Sequence, residues 1–229
     1  MTWILTRSGR KFDLARPTAD MVDPADIAHS LSMQCRFNGH TSRYYSVAQH
    51  SYLVADLVPA EDQLAGLLHD ATEAYVGDLV RPLKEGMRTH ALQAALCWLR
   101  EAGEVGANVE ELNRHIYLND FRPEACASKP LINAVESFYH QVERDVWQAI
   151  CQRFNLDPDL PASVKHADLV ALATEKRDLM PHHPEPWPCL TGIDPHPAYI
   201  DPWQPSYAAI HYHHRLLQLM TTTHRATAA

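Results

Sequence analysis

Leu67-Leu68-His69-Asp70-Ala71-Thr72-Glu73-Ala74-Tyr75-Val76-Gly77-Asp78 puts His69, Asp70, Glu73 and Asp78 into an otherwise apolar, helix-like segment. All four can bind a metal or move a proton. Imidazoles and carboxylates are costly to bury without partners, so a core helix carrying this many calls for a metal, a buried network or a reaction. The His69-Asp70 pair alone says little. A chain with 15 His in 229 residues should contain about one His-Asp by chance. The weight therefore falls on the surroundings.

Upstream, Ser46 can cap a helix running to about Val58, with Val47, His50, Val54 and Leu57 near one face at spacings of three and four. His50 thus faces inward. The quoted stretch continues a helix predicted from about Ala60 to Val76 and stopped by Gly77. On that helix Glu73 lies at i+4 from His69, on the same face. Downstream, Pro161 opens a helix to about Met180, and Asp168 is the one charge in Ala167-Asp168-Leu169-Val170-Ala171-Leu172-Ala173. It shares a face with Val164, Ala171 and Leu172, where a carboxylate needs a partner to offset its desolvation. Singly, the histidines read as core residues bonded to backbone, and Asp168 as a solvent-facing acid. Together, two imidazoles and two carboxylates from three helices form a pocket for a divalent cation. Mixed nitrogen and oxygen ligation suits Mn, Fe, Co or Zn, with Mg a further option, and water fills the open positions.

The rest of the chain patterns mostly as helix. Residues 2–14 read as a small β-hairpin about Ser8-Gly9, and Asp23-Pro24 opens a short helix to about Ser32. Arg36 to Tyr45 is a polar loop, and Asp78 to Lys84 is a turn around Pro82. Helices follow over Arg88–Ala102, Val109–Asn119 and Pro130–Phe154, the last with a stripe of Ile132, Val135, Phe138, Val142, Val146 and Ile150. The proline-dense segment 181–205 is extended, and its Trp187, Leu190, Ile193, Tyr199, Ile200 and Trp203 call for burial against the body. Ser206 caps a final helix to about Thr222. The expected fold class is all-α, a single domain over 1–229 with one small N-terminal hairpin.

Bulk properties narrow the function classes. An apolar fraction of 46% supplies a core, and a formal net charge of -8 speaks against a nucleic-acid polymer as partner. No window approaches the roughly 18 apolar residues of a membrane span, and the N-terminus does not read as a secretory signal. The five cysteines are scattered and lack any Cys-x-x-Cys, which fits reduced thiols and a cytoplasmic location. His182-His183, His196 and His211-x-His213-His214 lack an apolar surround and read as surface or linker residues.

His50, the His69-Asp70 pair and Asp168 resemble the H…HD…D signature of HD-domain phosphohydrolases. The likeness extends through Tyr45-Ser46-Val47-Ala48-Gln49-His50-Ser51, His69-Asp70-Ala71-Thr72-Glu73, Gly77-Asp78-Leu79 and Pro82-Leu83-Lys84 to the bacterial 5'-deoxyribonucleotidase (YfbR-like) family and its phage-encoded relatives. It covers residues 20–84 and about 130–180. Gly9-Arg10-Lys11-Phe12, Arg36-Phe37-Asn38-Gly39-His40-Thr41, Asp178-Leu179-Met180 and Glu185-Pro186-Trp187-Pro188 resemble the phage-type and uncharacterised members more than the enterobacterial enzyme. The resemblance implies an HD-type helical bundle, with His50, His69, Asp70 and Asp168 as metal ligands. It implies catalytic roles for Glu73, which would orient or deprotonate the attacking water, for Asp78 and for Arg36. Arg36 would hold the phosphate, Phe37 would pack on the deoxyribose, and Asp78, Leu79, Val80 and Arg81 would line the nucleoside end. His40 and Lys84 add cations. The chain departs from the compact nucleotidases in having Phe37 where they have an indole, and in a helical insertion at about 86–128.

The expected activity is hydrolysis of deoxynucleoside 5'-monophosphates to deoxynucleoside and phosphate, and the resemblance also implies a homodimer. One alternative is a deoxynucleoside triphosphate hydrolase, with Arg36, His40, Arg43, Arg81 and Lys84 as the cations for a longer phosphate chain. Another is a non-catalytic module that senses nucleotides.

Overall fold

The computed structural model describes residues 2–90 and 138–227. They belong to two compact units, Met1–Asp78 with Asp145–Ala229, and Leu79–Arg144. The described residues are mostly helical, with one antiparallel hairpin. Its strands are β1 (Trp3–Leu5) and β2 (Lys11–Asp13), paired Trp3 with Asp13 and Leu5 with Lys11. Gly9 turns the chain at φ 79°, a conformation that costs a Cβ-free residue little. Phe12 is wholly buried and stacks on Tyr75 with ring centroids 3.7 Å apart.

Helix α1 (Pro24–Met33) starts as expected. The Asp23 carboxylate accepts from the Ala25 and Asp26 amides, and Pro24 takes the first helical position, where no N–H is needed. Helix α2 (Val47–Leu57) is capped by Ser46, whose Oγ accepts from the Gln49 amide at 3.1 Å. Helix α5 (Phe138–Phe154), α6 (Ala162–Leu179) and α7 (Pro205–Thr227) follow the short helices α3 (Gln63–Leu68) and α4 (Glu73–Val76). A core of Val54 and Val58 from α2 against Val164, Ala167 and Ala171 from α6 locks these two helices together. At about 1.5–3 kcal/mol for each fully buried large aliphatic side chain, this interface fixes their register. Gly66 lets α3 approach α2 closely: a Cβ there would stand 3.2 Å from the Ala55 Cα and the Val58 Cγ2. Tyr212 of α7 is buried and donates its hydroxyl to the Leu67 carbonyl at 2.8 Å.

Five expectations are corrected. The helix predicted over Ala60–Val76 is broken: Ala60–Asp62 is a 3-10 turn, and regular α-helix stops at Leu68 and resumes at Glu73. Across the break the amides of Ala71, Glu73, Ala74 and Tyr75 bond to carbonyls three residues back rather than four. His69 and Asp70 both lie in this broken turn, with His69 Nε2 3.3 Å from Asp70 Oδ2. Second, the turn predicted over Asp78–Lys84 gives way at Arg81 to a helix over 81–90. Pro82 is tolerated in its first turn. Third, Phe138, placed on the buried stripe of α5, is 79% exposed, while Val146 and Ile150 are buried. A spacing of four drifts about 40° per step from the 3.6-residue repeat, which turns Phe138 away. Fourth, the last helix begins at Pro205 and runs to Thr227, so Ser206 lies inside it. The helix predicted over Val109–Asn119, most of the one over Arg88–Ala102, the start of the one from Pro130, and nearly all of the insertion at 86–128 lie outside the described residues.

The fifth correction concerns the proline-dense segment. Trp187, Leu190, Ile193, Ile200 and Trp203 are partly buried as expected, but Tyr199 is 80% exposed. Polar tethers hold the segment as well. His196 and Ile200 give their amides to Thr174 Oγ1 and to the Asp178 carboxylate, both at 2.9 Å, and Arg177 donates to the carbonyls of His196 and Ala198. The buried Gln49 side chain donates to the Asp201 carbonyl at 2.8 Å and accepts from the Trp203 amide at 2.7 Å. Extended backbone with many prolines offers carbonyls and few amides, so side chains of α2 and α6 complete its hydrogen bonding.

Candidate metal centre

Helix α2 supplies His50, the tight turn after α3 supplies His69 and Asp70, and α6 supplies Asp168. His50 Nε2 lies 3.1 Å from Asp168 Oδ1, 3.3 Å from His69 Nε2 and 3.5 Å from Asp70 Oδ2. His69 Nε2 lies 3.3 Å from the same Asp70 oxygen and 3.9 Å from Asp168 Oδ1. One ligand atom each from His50, His69 and Asp168 falls within 4.8 Å of the others, so this group can hold a metal ion. Among the described residues no set drawn from His182, His183, His196, His211, His213 and His214 does the same.

The far side of each ring explains why both Nε2 atoms face inward. His50 Nδ1 donates to Glu175 Oε1 at 2.6 Å, and His69 Nδ1 donates to the Gly66 carbonyl at 2.8 Å. With the Nδ1 protons so engaged, a neutral imidazole presents the Nε2 lone pair to the centre. Two such lone pairs and two carboxylate oxygens converging at these distances repel one another unless positive charge lies among them. The donor set therefore fits a divalent cation bound by nitrogen and oxygen.

Without a metal, protons supply that charge. Burial and the Arg36 guanidinium oppose a proton on His50, but Glu175 and Asp168 outweigh them and push it up to about 10. His69 is likewise raised: burial works against its charge, and Asp70 and Asp168 favour it. Burial disfavours the charged carboxylates, yet His69, His50 and Arg36 hold Asp70 far below the usual range, and His50 and His69 lower Asp168.

No family model matches the chain. Over 193 residues it is 34% identical to the uncharacterized protein YfdR of Escherichia coli (strain K12), a match covering 84% of this chain and 81% of YfdR. The chain belongs to the YfdR family. It is also 42% identical over 91 residues to an uncharacterized protein of Rhodobacter capsulatus, covering 36% of this chain and 46% of that protein.

The remaining site residues are arranged differently from the ligands. Arg36 turns inward, with NH1 3.5 Å from Asp70 Oδ2 and NH2 3.3 Å from Glu175 Oε2. Burial opposes its charge, but Glu175, Asp70, Asp78 and Glu73 raise its pKa further. Phe37 lies under the Arg36 guanidinium at 5.4 Å and 6.2 Å from the Trp187 ring. His40 is exposed. Glu73 is buried at the start of α4 and near enough to Arg36 to favour its charge. With Ile4, Leu5, Met33, Gln34 and Tyr75 it lines a cavity of about 530 Å³. The Gln34 side chain clamps this corner, donating to the Glu73 carbonyl at 2.9 Å and accepting from the Asp78 amide at 3.0 Å. Leu79, Val80, Arg81 and Lys84 belong to the second unit. There Arg81 pairs with Glu85 and Lys84 with Glu143, both at 2.8 Å.

Glu175 escaped the sequence reading. It is fully buried, and Arg36 and His50 hold its carboxyl down against the pull of burial. The available signal was its position. It falls seven residues after Asp168, two helical turns along the stripe that carries Val164 and Ala171.

Proposed function

We propose that this YfdR-family protein is an HD-type, metal-dependent nucleotide phosphohydrolase that converts deoxynucleoside 5'-monophosphates to deoxynucleoside and phosphate. The convergence of His50, His69, Asp70 and Asp168 on one point, with both Nδ1 atoms anchored from behind, carries this reading. These four residues would hold Mn, Co, Fe, Zn or Mg. Bound there, such an ion supplies a Lewis acid for phosphoryl oxygen and lowers the pKa of water. Glu73 would orient the attacking water or take its proton. Asp78 would meet the nucleoside. The ion pairs of Arg36 with Asp70 and Glu175 make it a brace of the centre as well as a candidate phosphate contact.

The charges favour a monophosphate over a triphosphate. Of the cations expected to hold a longer phosphate chain, Arg36, Arg43, Arg81 and Lys84 each pair with a carboxylate of this chain. The test is product analysis on the Mn- or Co-loaded protein with deoxy and ribo mono- and triphosphates. Inorganic phosphate with nucleoside is expected. Release of triphosphate or pyrophosphate would establish the triphosphatase instead. Glu73→Ala is expected to keep metal and nucleotide binding and lose turnover. A wild type that binds both and turns over neither substrate would be a sensing module.

A further inference from the structure

We infer that Glu175 is a positioning residue of the metal centre, holding His50 and Arg36 in register from one buried carboxylate. The inference rests on the metal-centre half of the reading above. Glu175 is wholly buried on α6 and uses both oxygens. Oε1 accepts from His50 Nδ1 at 2.6 Å, and Oε2 accepts from Arg36 NH2 at 3.3 Å. Arg36 in turn reaches Asp70 Oδ2 at 3.5 Å. One carboxylate thus stands behind two ligands, directly behind His50 and through Arg36 behind Asp70.

The helix explains the economy of the device. Asp168 and Glu175 are seven residues apart on α6, so they project from nearly the same face two turns apart. Helix α6 therefore delivers a ligand oxygen to the Nε2 side of His50 and an anchoring oxygen to its Nδ1 side. An imidazole gripped at both ends cannot rotate or adopt the other tautomer without breaking a charge-assisted hydrogen bond. The guanidinium closes the loop. Without Glu175 it would keep its 3.5 Å pair with Asp70, free to draw that carboxylate away from the centre.

Co2+ titration of the metal-free protein, followed by d–d absorption, tests this without any turnover assay. Glu175→Gln is nearly isosteric and is expected to weaken Co2+ binding about 10- to 100-fold. It should also alter the intensity and position of the d–d bands as His50 loosens. A purely structural role predicts a lower melting temperature with unchanged Co2+ affinity and spectrum in the folded variant, and that result would overturn the inference. Should Glu175→Gln fail to fold, Glu175→Asp keeps the buried charge and shortens its reach. It is expected to weaken Co2+ binding, and wild-type affinity in that variant would overturn the inference equally. A wild type that binds no Co2+ removes the metal centre and this inference with it. A wild type that binds Co2+ but hydrolyses no nucleotide counts against the phosphohydrolase alone.

Discussion

His50 and Asp168 stand inside helices of 11 and 18 residues, whereas Arg36 begins a four-residue 3-10 turn in which Phe37 and Asn38 take φ values of 55° and 52°. The helices hold their side chains by packing at the α2–α6 core, and Glu175 anchors the His50 ring from behind. The turn holds its residues in the left-handed region, which costs roughly 1–2 kcal/mol for a residue with a Cβ. These two regions meet at the Arg36 guanidinium, which pairs with both Asp70 and Glu175. The ligand side of the centre is thus rigid by ordinary packing. Its neighbour is a strained turn, and backbone strain persists only where its surroundings over-determine it.

The largest expected effect comes from removing a ligand. Asp168→Ala takes away the oxygen 3.1 Å from His50 Nε2 and should strip the metal altogether. Elemental analysis of the purified variant checks it, and an unchanged metal content would move that ligand elsewhere. Next comes the link between the regions. Arg36→Met leaves Asp70 and the buried Glu175 without their guanidinium, and losing one partner of a buried ion pair costs about 3–5 kcal/mol. Urea melts should show that loss. A change under about 1 kcal/mol would mean that the guanidinium does not couple turn to centre.

A third effect follows from protons. His50 in the metal-free protein is pushed from its ordinary 6.5 up to about 10, and His69 is raised as well. Ligation needs both imidazoles neutral, so a metal must displace these protons, and its apparent affinity should rise with pH from about 6.5 toward 10. The stability contribution of His50 runs the other way. A raised histidine stabilises the metal-free fold fully below 6.5 and loses that contribution as pH rises through about 10. Metal titrations and metal-free melts across this range should therefore slope in opposite directions.

How much of this was legible in the sequence follows the same division. His50 and Asp168 were visible because regular helices write their faces into a 3.6-residue pattern, and each stood out as a polar group on an apolar face, whereas His69 and Asp70 stood out as an adjacent polar pair in an apolar stretch. Caps at Asp23 and Ser46 were visible because their chemistry is local. The break at His69–Thr72 was not, since that stretch carries neither Gly nor Pro to announce it. Glu175 was missed because Glu-Lys-Arg-Asp reads as a solvated helix end, and only the partners Arg36 and His50, more than 120 residues away in sequence, show that it is buried. The proline-dense segment was legible in part. Its apolar content announced the partial burial of Trp187, Leu190, Ile193, Ile200 and Trp203, but not its tethers to Gln49, Thr174, Arg177 and Asp178, polar residues whose partners are backbone groups.

The smallest expected effect tests whether the strained turn and the braced centre are separable. Asn38 is exposed and sits at φ 52°, so Asn38→Gly removes a side chain that makes little contact and supplies a residue at ease in that conformation. Asn tolerates the left-handed region better than most residues, and glycine adds unfolded-state entropy, so the gain should be no more than a few tenths of a kcal/mol. Co2+ affinity should stay within about twofold of wild type, because Glu175 on α6 and the Gly66 carbonyl anchor the two imidazoles independently of the turn. A tenfold loss of affinity from this exposed position would show that backbone strain, transmitted through Arg36, helps to set the ligand geometry, and the two regions would then be one device.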